Sequence, residues 1–154
     1  MIDRIDRKIL RELQADGRMT NQALAEKVGL SPSPCLRRLK KLEDDGVIRG
    51  FTAIVDQEAY GLPINVFASI RLTRQSEEAL AEFDAAVQKW DEVLDCFLMT
   101  GSRDYLLRVA VESLDAYERF LKSKLTRLGC VASIESSFAL GVTKKTPVLP
   151  PISD

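Results

Sequence analysis

Residues 24–43 read LAEKVGLSPSPCLRRLKKLE, and this stretch decides the fold of the N-terminal part of the chain. It holds the end of one short amphipathic segment, then a glycine, then a segment that opens with two prolines and carries four cations. Gly29 supplies the positive φ angle that a tight turn between two helices requires. The stretch therefore predicts a helix, a turn and a second helix, the arrangement that a helix-turn-helix uses to read DNA.

The second helix of this pair has a well-specified start. Ser31 or Ser33 is expected to cap it through a side-chain oxygen, while Pro32 and Pro34 fall in the first turn, where a missing N–H group costs little. Leucines recur every three residues and are expected to form the buried face beside Cys35: Leu36, Leu39 and Leu42. We interpret Cys35 as a packing residue and not as a redox sensor.

The same helix concentrates positive charge. No acidic residue occurs between positions 31 and 42, although the whole chain has a formal net charge of −1. The four cations are Arg37, Arg38, Lys40 and Lys41. A cationic helix is usually a solvated surface. Here two further amphipathic helices are predicted upstream, over residues 2–16 and 21–28, so that three helices share one small core and the last one is free to enter a major groove.

These features assign roles within the predicted DNA-binding helix. We expect Ser31 and Ser33 to position phosphates at the helix N-terminus, and we expect the four cations to divide between phosphates and base edges. Arg37 is the first choice for base readout because it lies on the outward face and its planar guanidinium can donate twice to guanine. The sequence leaves open how the other three cations divide.

Composition excludes several other classes of function. The chain has no histidine, which removes the commonest general base and a common metal ligand, and it contains no nucleophile elbow or phosphate-binding loop. Its three cysteines lack metal or disulfide spacing, and no apolar run is long enough to span a membrane. We therefore expect a cytoplasmic, nucleoid-associated protein that is not an enzyme, with no catalytic residues, no metal, no cofactor and no membrane partner.

The second half of the chain follows a different pattern. Residues 64–73 alternate as a half-buried strand, and a helix is predicted from Ser76 with an apolar stripe of Leu80, Phe83, Val87 and Trp90. Strands are predicted at 93–99 and 105–111, then a helix with apolar residues from 114 to 128 that Gly129 closes, and a last strand at 131–140. The order β-α-β-β-α-β predicts a ferredoxin-like fold, a four-stranded antiparallel sheet with both helices on one face.

The uncovered face of that sheet is expected to need a partner. Phe67 and Phe97 lie in the polar sets of their strands and Phe138 lies on the last strand, so pairing of two sheets in a symmetric dimer would bury them. The alternative is that one or more of them belongs to the core.

The pattern divides the chain into four parts and predicts an α+β fold class. We predict a helix-turn-helix domain at residues 1–50, a connecting strand or linker at 51–63, a ferredoxin-like domain at 64–145 and an extended tail at 146–154. Residues 47–55 are β-branched and aromatic enough to form a strand, either as a wing or as a connecting ribbon.

Several motifs resemble the Lrp/AsnC family, the feast/famine regulators of bacteria and archaea. They are, in order, Asp3-x-x-Asp6-x-x-Ile9-Leu10, the SPSPC opening of residues 31–35, Leu42-Glu43-x-x-Gly46-x-Ile48 and Gly101-x-x-Asp104-Tyr105. The resemblance covers almost the whole chain. It implies a winged helix-turn-helix joined to a ferredoxin-like effector and oligomerisation domain, which assembles as homodimers and often as an octamer of four dimers.

The resemblance also implies a DNA-binding regulator whose assembly or DNA affinity responds to a free amino acid. Family members bind the effector between dimers, at a turn that corresponds here to Leu98, Met99, Thr100, Gly101, Arg103, Asp104 and Tyr105. Turn N–H groups would meet the carboxylate, and Asp104 the ammonium group, while Arg103 is either a further carboxylate partner or a solvated side chain. The alternative is that residues 101–104 only turn a hairpin, which they would do without a ligand. Ser102 replaces an aspartate of the common family motif, so the identity of the effector does not transfer.

Two alternatives come from other classes of protein. One is an amino-acid-binding assembly module that has no DNA function, against which the cationic helix argues. The other is an enzyme similar to sirohaem decarboxylases, whose chemistry relies on histidines that this chain lacks. The operator, the target genes, and the choice between repression and activation are not encoded in any pattern of the sequence.

Overall fold

The computed structural model describes residues 2–152, which form two compact units. Unit 1 consists of residues 2–54 together with residues 143–152, and unit 2 consists of residues 55–142. In the part of the chain that is described, no helix is long and apolar enough to cross a membrane.

Unit 1 contains three helices: α1 (Arg4–Ala15), α2 (Asn21–Val28) and α3 (Pro32–Asp44). The Asp3 side chain accepts from the Asp6 N–H, and the Asp6 side chain accepts from the Asp3 N–H, so a capping box starts α1. Gly29 ends α2 with a φ of 77°, as the predicted turn requires. The predicted shared core is present and comprises Ile9, Leu24, Ala25, Val28, Cys35 and Leu42.

The predicted buried face of α3 is wrong at one position. Leu42 is buried, but Leu36 is 40% exposed. Three residues turn an α-helix through about 300°, so a three-residue repeat drifts by about 60° per step and carries Leu36 away from Leu42. Cys35 and Leu42, which are seven residues apart and therefore on one side of the helix, are the buried residues, and Leu39 between them is half-buried.

Residues 47–55 do not form the predicted strand. The segment has no regular secondary structure, and Phe51, Ile54 and Val55 are all exposed. A strand needs a neighbour to pair its N–H and C=O groups. The only sheet among residues 2–152 consists of four other strands, none of which extends to this segment.

The C-terminal segment packs against α1. Both polar atoms of the Gln14 side-chain amide bind this segment. Nε2 donates to the Pro147 carbonyl at 2.8 Å, and Oε1 accepts from the Leu149 N–H at 3.3 Å. Leu149 and Pro150 line a surface groove together with Leu10 of α1. The sequence pattern predicts an extended tail at 146–154, of which residues 153 and 154 lie outside the described residues. That pattern did not predict that the tail packs against α1.

Unit 2 has the predicted element order. Its strands are β1 (Ile64–Leu72), β2 (Val93–Leu98), β3 (Tyr105–Val111) and β4 (Val131–Phe138), and its helices are α4 (Glu77–Val87) and α5 (Leu114–Ser123). The strands pair antiparallel in the order β2-β3-β1-β4. This is the ferredoxin-like arrangement, and the prediction of an α+β protein with this sheet is confirmed.

The helix predicted to continue to position 128 is shorter. After α5 ends at Ser123, a short 3-10 turn (Leu125–Arg127) follows. Lys124 leaves helical geometry and its Nζ binds the Glu92 carboxylate at 2.6 and 2.8 Å, while Leu125 is fully buried in the core. The salt bridge and the buried leucine hold the chain in this turn, so tertiary packing overrides the helical periodicity of the sequence.

The predicted open-face phenylalanines separate into two groups. Phe67 and Phe97 lie on the face opposite the helices, where they are 38% and 54% exposed. Phe138 pairs with Val66, whose side chain points into the core, and residues paired across antiparallel strands share a face. Phe138 therefore lies on the helix side, where its ring meets Tyr117 edge-on at 5.5 Å.

Candidate functional site

The exposed side of α3 forms a shallow surface that we call the α3 outer surface. Seven residues line it: Ser33, Leu36, Arg37, Lys40, Lys41, Asp44 and Asp45. The inward side of α3 is fixed by Cys35, which has no exposed surface. Burial raises the pKa of the Cys35 thiol, as expected of a packing residue. The orientation of the outer surface is thus set by the core beneath it.

The four cations of α3 have different partners. Arg37 and Lys40 are exposed and have no carboxylate within 4.0 Å among residues 2–152. Lys41 is bound to Asp45 at 2.5 Å, one turn further along the helix. The pair is exposed, and such pairs exchange readily with other charged groups. Arg37 and Lys40 are consequently the cations best placed to meet an external anion.

Arg38 is engaged inside unit 1. Its Nη1 lies 2.6 Å from Oδ2 of Asp3 and 2.8 Å from Oδ1 of Asp6, the two residues of the capping box. These hydrogen bonds, first to Asp3 and then to Asp6, raise the pKa of the guanidinium. The pKa of Asp3 is lowered first by the Asp6 N–H and then by Arg38. Arg38 therefore ties α3 to the start of α1.

The start of α3 is held by a residue that the sequence analysis did not single out. The Nδ2 of Asn21, the first residue of α2, donates to the Pro32 carbonyl at 2.8 Å. Ser31 occupies the N-cap position, but its hydroxyl makes no capping bond, so the prediction that Ser31 or Ser33 caps the helix by its side chain is wrong. Asn21 links the first residue of α3 to α2 but does not cap an N–H group of α3, and both serines remain exposed at the helix start.

Charge is polarised along the α3 outer surface. Arg37 and Lys40 occupy the middle of the helix, whereas Glu43, Asp44 and Asp45 occupy its end. A polyanion is attracted to the first part of the helix and repelled by the last turn. The first two-thirds of α3 is therefore the part suited to contact phosphates and base edges, as in the N-terminal half of a recognition helix.

The turn between β2 and β3 contains the predicted effector residues, and it is built around Asp104. This carboxylate is 5% exposed. Its Oδ2 accepts from the Leu72 N–H at 2.7 Å, and its Oδ1 accepts from Nε2 of Gln75 at 2.6 Å. Leu72 lies where the β1–β4 register shifts, so its N–H is paired by Asp104 at an irregular point of the ladder. Asp104 acts as a structural brace of the turn.

Tyr105 belongs to the core of unit 2. Its hydroxyl donates to Oδ1 of Asp84 at 2.7 Å, and its ring lies 4.4 Å from that of Phe83. Burial, followed by the hydrogen bond to Asp84, raises the pKa of the phenol. Sequence reasoning treated this tyrosine as part of a ligand motif and did not identify its partner on α4.

The remaining turn residues are exposed and face different sides. Leu98 pairs with Tyr105 at the sheet edge, whereas Arg103 reaches the open face and donates to Ser69 at 2.5 Å and Glu135 at 3.0 Å. Met99, Thr100 and Gly101 are exposed between them, and Gly101 has a φ of 101°. The structure brings the seven residues together in the turn and at the strand ends beside it; Asp104 and Tyr105 are buried there, and the other five are exposed.

Comparison with known proteins assigns both units. Residues 2–49 match the model for a winged helix-turn-helix DNA-binding domain, and residues 65–149 match the model for the Lrp/AsnC ligand binding domain. The Bkd operon transcriptional regulator of Pseudomonas aeruginosa is 46% identical over 90% of this chain and 91% of its own length. The leucine-responsive regulatory protein of Salmonella typhimurium is 45% identical over 82% of this chain and 77% of its own length.

A solved structure agrees over nearly the full length. The complex of a Neisseria meningitidis transcriptional regulator with L-Met has a TM-score of 0.92 to this chain, at 43% identity, and the match covers 97% of each chain. The likeness includes both the helix-turn-helix and the four-stranded sheet, because it extends over both units.

Proposed function

The chain belongs to the Lrp/AsnC family of transcriptional regulators, and we propose that it reads a specific DNA sequence through α3 and changes its assembly or DNA affinity when a free amino acid binds. The observation that carries the proposal is the α3 outer surface. Two cations without carboxylate partners in the described chain project there from a helix whose orientation is fixed by a buried core.

The contacts of α3 support distinct roles for its residues. Arg37 reads a base edge, because its forked guanidinium has no carboxylate partner among residues 2–152 and suits the two acceptors of guanine. Lys40 and Lys41 bind phosphates, and Lys41 does so by exchanging its ion pair with Asp45 for a phosphate of the DNA backbone. The exposed Ser31 and Ser33 hold a phosphate at the helix start. Arg38, by contrast, positions α3 through Asp3 and Asp6. This revises the expectation that all four cations contact DNA.

The open face of the sheet supports assembly into a homodimer. Phe67 and Phe97 are exposed there, beside the half-buried Leu106 and an ion pair between Arg108 and Asp95 at 2.8 Å. A second copy placed symmetrically would bury both rings and present two α3 helices to one duplex. We propose that four such dimers form an octamer, as the resemblance to the Lrp/AsnC family implies.

The turn between β2 and β3 supports binding of the effector. Its exposed part offers Leu98 with Met99 for an apolar side chain. Arg103 meets the carboxylate by exchanging its ion pair with Glu135, which is exposed and so can be replaced by a ligand. Asp104 and Tyr105 shape the turn because their polar atoms are already bonded within the chain. The ammonium group then requires a carbonyl of the turn or a residue of a neighbouring copy, which agrees with a site between dimers. The L-Met complex of the Neisseria relative supports an amino acid as the ligand class.

One experiment tests the proposal as a whole. Bound duplexes are recovered from fragmented genomic DNA and from a random library, with no addition and with each of the twenty common amino acids. We expect one enriched two-fold-symmetric motif, and we expect at least one amino acid to change its recovery. Recovery without sequence enrichment would contradict specific reading, and enrichment that is indifferent to every amino acid would contradict the effector.

A further inference from the structure

The α3 outer surface contains one large apolar side chain among its polar groups. Leu36 is 40% exposed, although it belongs to a helix whose inward face is already filled. It lies three residues after Ser33 and four residues before Lys40, so the three side chains form one strip along the helix. A leucine in this strip is exposed to water whenever the surface is unoccupied.

The position of Leu36 relates it to base edges and not to the phosphate backbone. It is the fifth residue of α3, and it lies one residue before Arg37, the proposed guanine reader. The first half of such a helix penetrates the major groove. An alkyl side chain offers phosphates nothing, whereas one base presents an alkyl group in that groove, namely thymine with its C5-methyl.

We infer that Leu36 is a specificity-determining residue that packs against the C5-methyl group of a thymine next to the base pair read by Arg37. The inference rests on the proposed DNA-binding function and adds to it a base preference at a defined helix position. Burial of the two apolar groups against each other removes both from water, and a cytosine at the same place carries only a hydrogen at C5, so the contact with Leu36 would be lost.

The size of the effect follows from the loss of one methyl group. Burying one methyl group stabilises the complex by about 0.8 kcal/mol. Because ~1.4 kcal/mol corresponds to a tenfold change in Kd, the loss of this methyl group should raise Kd roughly fourfold. A dimer reads two half-sites, so replacing both thymines is expected to weaken binding by roughly 15-fold.

The test uses the full chain and the duplex that it selects from a random library. Each thymine is replaced in turn by deoxyuridine, which lacks only the methyl group and keeps base pairing. We expect one thymine in each half-site to show the fourfold loss with the wild-type chain and no loss with Leu36→Ala. Leu114→Ala is the matched control, because it truncates another exposed leucine, in α5, and should keep the wild-type response.

The outcomes separate this inference from the proposed function. If no duplex sequence is selected, the proposed function fails. If a sequence is selected but no thymine responds to deoxyuridine, or if Leu36→Ala responds as the wild type does, the role assigned to Leu36 is overturned. Circular dichroism of Leu36→Ala is expected to match the wild type, because an exposed leucine contributes little to the core and alanine favours a helix.

Discussion

Replacing Arg37 and Arg38 separately by alanine distinguishes a base reader from a positioning residue. The two arginines are adjacent in the sequence and carry the same charge, but they point about 100° apart around α3. Arg37 is exposed without a carboxylate partner in the described part of the chain, and Arg38 binds Asp3 and Asp6 at 2.6 and 2.8 Å. Each substitution removes one positive charge, so their difference isolates the base contact.

The expected magnitude comes from one bidentate contact in each half-site. Such a contact discriminates against a wrong base by about 1–3 kcal/mol, which is roughly 5- to 150-fold in Kd per half-site. Arg37→Ala is therefore expected to reduce the ratio of affinities for the selected duplex and a random duplex by at least this factor. Arg38→Ala is expected to lower the unfolding temperature of the protein. It should leave the ratio of affinities nearly unchanged, because the lost positive charge lowers the affinity for both duplexes similarly.

The assay is fluorescence anisotropy with both duplexes at one fixed salt concentration and below the unfolding temperature of either variant. A fixed salt concentration is essential because the contribution of phosphate contacts changes steeply with salt. The reasoning is refuted if Arg37→Ala keeps the wild-type ratio, or if Arg38→Ala lowers the ratio as much as Arg37→Ala.

Three further predictions concern the turn, the sheet and the tail. Asp104→Ala leaves the buried Leu72 N–H unpaired and is expected to lower the free energy of unfolding, measured by urea titration, by about 1–3 kcal/mol. Asp104→Asn keeps an acceptor and should cost less. Equal stability of Asp104→Ala and wild type would contradict the bracing role of Asp104. Phe67→Lys is expected to convert a dimer to a monomer in sedimentation velocity, and an unchanged sedimentation coefficient would argue against pairing through the open face. Gln14→Ala removes both hydrogen bonds to the C-terminal segment and should accelerate amide hydrogen exchange over residues 143–152; unchanged exchange would show that the segment is held by other contacts.

Local patterns predicted the elements of both units well. The alternation of β1 and the stripe of Phe83 and Val87 on α4 identify a strand and a helix because each pattern records burial on one face. Gly29 identified its turn because few other residues adopt that backbone conformation at low cost. These signals depend only on neighbouring residues.

Apart from Leu36, which the drift of a three-residue repeat explains, the misassigned elements depend on contacts between distant residues. The length of the last helix is set by a salt bridge from Lys124 to Glu92, which no periodicity records. Strand formation at residues 47–55 needs a pairing partner, which the four strands found among residues 2–152 do not provide. The side of the sheet that Phe138 occupies depends on its register with Val66.

The candidate site shows the same division. The sequence located the cations of α3, but the two carboxylates that bind Arg38 lie more than thirty positions away, at the start of α1, so this ion pairing was not visible. Asp104 belongs to the predicted binding turn, but the motif did not show that its carboxylate is buried and bonded to the Leu72 N–H and to Gln75. The motif identifies the turn, and the contacts decide what each residue does there.

The most direct test of the central claim, that α3 reads bases in the major groove, is methylation interference on the selected duplex. Dimethyl sulfate adds a methyl group to guanine N7, an atom that lies in the major groove and accepts from arginine. We predict interference at a guanine in each of two half-sites whose centres are about 10 base pairs apart, or a multiple of that spacing. We also predict that this interference disappears with Arg37→Ala. Binding that is unaffected by every N7-methylguanine would contradict the account.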